Sequence, residues 1–196
     1  PLGSVVVAGE SIIDKMDLPG GISIQVAGSY EDQQDSFSDL GTLAVLIIIL
    51  VFIVMAAQFE SLTYPFIIMF SIPLAFTGGF IALLLTGQEV NVLAMLGFIM
   101  LAGLIVNNGI VLIDYINQAR KAGVSKHEAI ISSGKTRVRP ILMTVLTTVL
   151  AMLTTALGIG DGSDMMRPMA ITLIGGLVYG TVLTLIVIPC IYDMFH

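Results

Sequence analysis

Apolar residues arrive along this chain in long blocks, and each block is fenced by charge. No Asp, Glu, Lys or Arg stands between Asp39 and Glu60, Glu60 and Glu89, Glu89 and Asp114, Arg139 and Asp161, or Arg167 and Asp193. A helix needs roughly 20 residues to cross a hydrocarbon core of about 30 Å. Each block is long enough, so the pattern predicts five transmembrane helices, over about residues 40–59, 65–86, 91–116, 140–158 and 168–192. The expected fold class is an all-α polytopic membrane protein with a transmembrane domain over 39–196 and a short extracytoplasmic N-terminal segment over 5–38. In that segment "GESIIDKMDLP" reads as a short helix, and "GGISIQVAG" alternates apolar and polar side chains between glycines as one β-strand. "SYEDQQDSFSDL" sets a Ser cap ahead of acidic residues, a helix start leading into the first span. "PLGS" at 1–4 resembles an expression-tag scar, and the chain reads as a piece cut from a longer protein.

Composition agrees with the blocks. Of 196 residues, 56% are hydrophobic and 11% charged, where soluble domains carry about 25% charge. The net charge of −6 says less than its placement. Six of the eight cations, Arg120, Lys121, Lys126, Lys135, Arg137 and Arg139, fall within residues 117–139. That stretch is therefore expected to be a cytoplasmic loop, carrying an amphipathic surface helix around Lys126–Ser132. By alternation the acidic N-terminal segment and the loops Gly87–Asn91 and Gly158–Arg167 lie outside, and the C-terminus lies inside.

Two adjacent amides interrupt the third span at "GLIVNNGIVLIDY". Gly103, Asn107 and Asp114 share one helical face, while Asn108 points about 100° away. Amides in hydrocarbon serve either as interhelical hydrogen-bond glue, contributing roughly 0.6–2 kcal/mol, or as part of an ion path. Residue chemistry alone favours glue, because Asn does not titrate. The fourth span carries Thr144, Thr147, Thr148, Thr154 and Thr155; Thr144, Thr148 and Thr155 share a face, and most of these hydroxyls are expected to bond their own helix's carbonyls. Arg137 lies two turns before Thr144, and reaches the same column if the helix extends back that far. Pro140 suits the first turn of that helix. Gly176 and Gly180 stand at GxxxG spacing in the fifth span, which lets another helix approach, and Gly103 serves the same way in the third.

Other chemistry is not indicated. "GIGD" at 158–161 and "YD" at 192–193 match the short signatures of intramembrane aspartyl proteases, but they sit at opposite membrane faces and in reversed order. Paired acid catalysis needs its carboxylates a few ångströms apart. No metal-ligand spacing, cofactor motif or nucleic-acid patch is present, Cys190 and the methionines read as packing, and no enzyme activity is expected.

Four ordered segments, "AAQFESLTYPFIIMFSIPLAFTGG", "GLIVNNGIVLIDYINQAR", "RVRPILMTVLTTVLAMLTTALGIGDG" and "RPMAITLIGGLVYGTVLTLIVIPCIYDMF", resemble the last five transmembrane helices of resistance-nodulation-division (RND) efflux transporters, on the hydrophobe/amphiphile drug-efflux branch. The resemblance implies proton-driven export of amphiphilic compounds, multidrug resistance, a bacterial cytoplasmic (inner) membrane location and a homotrimer. Residues 5–38 would be a remnant of the porter domain. Carried over by position, the partner side of the proton relay would be Asn107, Asn108, Arg137 and Thr144. The best-known drug pumps have a lysine where Asn107 stands, and the relay's acidic pair lies on a helix this chain lacks. Its partners would then be the transporter's remaining helices, its porter domains and the lipid bilayer. The competing expectation is a membrane assembly module that oligomerises, with itself or a missing partner, without transport.

Overall fold

A computed structural model describes residues 8–9, 11–13, 29–160 and 162–195. The chain divides into two compact units, Pro1–Leu43 and Ala44–His196. In the first, residues 8–9 and 11–13 are helical, and the Ser11 hydroxyl donates to the Ala8 carbonyl at 2.8 Å. The strand expected over 20–28 lies outside the described residues.

Six helices follow: α1 Ser29–Phe59, α2 Thr63–Met69, α3 Ser71–Thr86, α4 Val92–Lys121, α5 Lys126–Ala156 and α6 Ser163–Phe195. With α2 and α3 taken together as one span, five helical segments are long and apolar enough to cross a membrane. No strand occurs among the described residues. The fold is that of an all-α polytopic membrane protein.

The second span divides at Phe70 because Pro73 has no N–H for the Met69 carbonyl, and its ring crowds that oxygen. Phe70 keeps helical dihedrals, φ −63° and ψ −21°, so this is a kink within one span. The Ser71 hydroxyl fills part of the gap, donating to the Ile68 carbonyl at 2.5 Å. Gly87, in the left-handed conformation, ends α3. The Asn91 side chain then accepts from the Ala94 N–H at 2.8 Å, starting α4.

The largest departure from expectation is the cytoplasmic loop. α4 runs to Lys121 and α5 starts at Lys126, leaving a four-residue turn where a loop over 117–139 was expected. The Ser125 hydroxyl caps α5 by accepting from the Glu128 N–H. Pro140 is not in a first turn but inside this helix. The surface helix and the fourth span are one rod. Pro140 forfeits a single bond, to the Thr136 carbonyl, and nothing between Lys126 and Pro140 stops a helix.

The second unit is organised around α6, which packs on α3, α4 and α5. α3 runs antiparallel to it: Gly180 sits at Ala75, and Gly175 sits at Ala82. α4 runs parallel to it, with Gly97 at Thr172, Gly180 at Ile105 and Gly109 at Ile188. Apolar side chains fill the layers between, in two clusters. One surrounds Ile68, Ile113, Ile116 and Tyr192; the other surrounds Leu101, Ile105, Leu173 and Leu177. From Ala44 onward α1 joins the first cluster mainly through Met55, which is fully buried, with Val51 and Phe59 beside it.

Candidate functional site

Glycine sets how closely α6 is approached. A Cβ on Gly176 would collide with the Leu101 side chain and lie 3.0 Å from the Ala75 carbonyl oxygen; on Gly180 it would meet the Ala75 Cβ at 2.7 Å. The facing helix uses glycine too, since a Cβ on Gly78 would lie 2.9 Å from the Gly175 carbonyl oxygen. Without a hydrophobic drive inside lipid, such close packing is what holds spans together. Gly103 is different: a Cβ there would meet nothing within 4 Å, so within this chain it packs no helix. Gly78 and Gly79 face Tyr179 and Phe98 at close range.

The two asparagines divide as the helical repeat requires. Asn108 is buried, while Asn107 is exposed on the same face as Gly103 and Asp114. Both line a cavity of about 50 Å³ with Leu104, Thr144, Val145, Thr148 and Leu177. The structure thus brings Asn107, Asn108 and Thr144 together and adds Thr148. Neither amide hydrogen-bonds another described residue, and the cavity has room for water, which needs about 10–15 Å³. The hydroxyls do bond their own helix: Thr144 donates to the Ile141 carbonyl at 2.8 Å, Thr147 to Met143 at 2.8 Å and Thr148 to Thr144 at 2.9 Å. The Thr144 and Thr148 hydroxyls keep acceptor capacity for a partner in the cavity.

Arg137 stands apart. The helix does extend back to it, but its guanidinium carbon lies 4.8 Å from the Tyr115 ring centroid, over the ring face. Its Nε is buried without a hydrogen-bond partner. A cation held on an aromatic face, outside the amide cavity, is what the geometry gives.

At the end of the bundle where α4 stops and α5 begins lies a network the sequence did not announce. Tyr192 donates to the Asn117 side-chain oxygen at 2.8 Å and accepts from the Arg120 guanidinium at 3.1 Å. Tyr64 stacks on Tyr192 with centroids 5.9 Å apart. Lys126 bridges to the Asp193 carboxylate at 2.8 Å and donates to the Asp193 carbonyl at 2.7 Å. A Tyr at a span end is expected to sit at the interface, but only tertiary structure pairs it with a residue on another helix. Cys190, expected as packing, is a free and exposed thiol. Asp161 lies outside the described residues.

Glycine-lined close packing within a bundle of five apolar segments long enough to cross a membrane defines the class of the protein as integral membrane. The whole chain, residues 1–196, matches the model of the AcrB/AcrD/AcrF family, and the chain belongs to that family of RND efflux transporters. The match takes in Pro1–Ser4. The chain is similar to the swarming motility protein SwrC of Bacillus subtilis (strain 168), at 38% identity over 97% of its length. It is also similar to the cobalt-zinc-cadmium resistance protein CzcA of Cupriavidus metallidurans, at 34% identity over its whole length. The chain spans 18% of the length of each of these relatives. A crystal structure of a heavy metal efflux pump superimposes with a TM-score of 0.85 at 34% identity, covering 98% of this chain and 19% of the pump.

Proposed function

We propose that this chain is the C-terminal membrane portion of a proton-driven exporter of amphiphilic compounds, contributing the partner side of the proton relay and not competent alone. The observation that carries the reading is the cavity where Asn107, Asn108, Thr144 and Thr148 converge from two helices. These groups accept and donate hydrogen bonds but do not titrate in the physiological range, so the proton-carrying carboxylates belong to another helix of the intact transporter. Asn107, exposed on α4, turns toward the place such a helix would take. Arg137 over Tyr115 holds a fixed positive charge nearer the cytoplasmic end. The cations at the α4–α5 turn support a cytoplasmic location for that end, with the N-terminal segment outside. Further parts of the proposal are a location in the bacterial inner membrane, a homotrimer as the assembled form, residues 5–38 as a porter-domain remnant, and no enzymatic step.

The test is Asn107→Leu in the full-length transporter, measured as proton-coupled export in vesicles beside protein abundance. Export should fall by about tenfold or more with abundance kept, since the proposed hydrogen bond from Asn107 to the carboxylates of the missing helix is lost. Parallel loss of abundance and export would return the amides to structural glue.

A second reading concerns cargo. Two of the similar proteins are described by metals, a cobalt-zinc-cadmium resistance protein and a heavy metal efflux pump. Cells carrying the full-length transporter, challenged separately with amphiphilic detergents and with cobalt, zinc or cadmium salts, separate the two. Protection against the metals alone would replace the amphiphile cargo and leave the relay reading standing.

A further inference from the structure

A second polar hollow lies apart from the amide cavity. A pocket of about 620 Å³ opens where α1, the α1–α2 link and the end of α4 meet. Drug-sized ligand sites span about 300–1,000 Å³. Its charged lining is balanced, with Glu60 and Asp114 against Arg120 and Lys121. All four of these side chains are exposed. Here none of them is ion-paired to another described residue. Arg120 is held instead by the Tyr192 hydroxyl at 3.1 Å, and Asp114 accepts from the Gln118 amide at 2.7 Å. Glu60 adopts a positive φ of 49°, uncommon for a side chain of its size, so the end of α1 turns sharply beside this hollow.

Two further facts narrow the ligand. The pocket lies at the ends of spans that stop at Phe59 and Lys121, the level of lipid headgroups. Phe59 and Tyr64 share its wall, their rings 5.7 Å apart, and so offer an apolar side next to the charged one. A site with two cations and two carboxylates, and no net charge, suits a ligand that carries both signs close together. A purely anionic headgroup would leave the carboxylates unanswered, and a purely cationic ligand would leave Arg120 and Lys121 so.

We infer that this pocket binds the phosphoethanolamine headgroup of a membrane phospholipid, with the phosphate at Arg120 and Lys121 and the primary ammonium at Glu60 and Asp114. The ammonium matters chemically. Its N–H groups donate to carboxylates, whereas a choline headgroup has a quaternary nitrogen and no donor. The phosphate contributes the charge-assisted bonds that guanidinium and ammonium groups make well.

The experiment is native mass spectrometry of the full chain in detergent, equilibrated with an equimolar mixture of phosphatidylethanolamine, phosphatidylcholine and phosphatidylglycerol. Phosphatidylethanolamine should be retained about threefold over phosphatidylcholine, a preference of the size a partly exposed charge pair supports. Glu60→Gln combined with Asp114→Asn should erase that preference, and Lys121→Ala should lower retention of the ethanolamine and glycerol lipids together. Equal retention of all three lipids by the unaltered chain overturns the proposal without any variant, as does a preference that survives the double substitution. In a parallel sample with free phosphoethanolamine added to the lipid mixture, displacement of phosphatidylethanolamine by the free compound would assign the pocket to a soluble ligand and overturn the lipid assignment.

Discussion

α1 and α6 are both long, apolar and able to span a membrane, yet the protein treats them differently. Half of the most apolar window of α6 is buried, 50% against 6% for α1. The reason is side-chain size at the contact surface. α6 presents Gly175, Gly176 and Gly180, against which the backbone and side chains of α3 and α4 can settle. α1 presents Leu, Ile and Val along "AVLIIILVFIV", and residues such as Val45, Leu46 and Leu50 are more than half exposed. Apolarity places a helix in lipid, and small residues place it against another helix.

That contrast can be broken most forcefully at its tightest point. Gly176→Val drives a branched side chain into Leu101 and the Ala75 carbonyl, and should destabilise the bundle by at least about 1–3 kcal/mol in reversible detergent unfolding. Gly103→Ala, which meets nothing, should stay within about 0.5 kcal/mol and serves as the matched control. Next in size is Tyr192→Phe. It leaves the Asn117 oxygen and the Arg120 guanidinium without their shared hydroxyl and should cost about 1–2 kcal/mol in the same assay.

Thr184→Val tests α6 in the opposite direction. The Thr184 hydroxyl is buried without a partner, as is that of Thr181. Replacing it with a methyl of similar size should stabilise the chain by about 1 kcal/mol, and a loss of stability would mean that the hydroxyl is solvated inside the bundle. The smallest effect belongs to α1. Leu46→Ala should change the stability of the chain by less than about 0.5 kcal/mol, because Leu46 touches little here. A markedly larger cost in the full-length transporter would show that another part of that protein covers this face.

The five spans were legible because a charge in hydrocarbon is costly, so the charge-free gaps mark them directly. The GxxxG spacing of Gly176 and Gly180 was legible as a close-packing surface, but its partners on α3 and α4 were not, since spacing on one helix says nothing about which neighbour it meets. The continuous α5 escaped because Pro140 and the cations before it read as a boundary. In α5 the proline deletes one hydrogen bond and the helix continues on both sides of it. The asparagine pair shows both sides. Their angular separation follows from the helical repeat, while the burial of Asn108 rather than Asn107 depends on where α6 sits. Arg137 was legible as lying on the Thr144 face, but the Tyr115 ring that holds it comes from another helix.

The unbroken α5 has a mechanical consequence. Thirty-one residues at 1.5 Å each make a rod about 46 Å long, some 16 Å more than the hydrocarbon core is thick. The surplus, counted from the start of α5, carries Lys126 and Lys135, and the remainder carries Thr144 and Thr148. The charged end is held by Lys126 at Asp193, by Arg137 on the Tyr115 ring and by Ala129 buried in the first core cluster, so α5 is fixed to its neighbours along this stretch as well. One continuous helix thus joins the charged end of the bundle to the amide cavity, so a displacement at either end is carried along a single hydrogen-bonded rod.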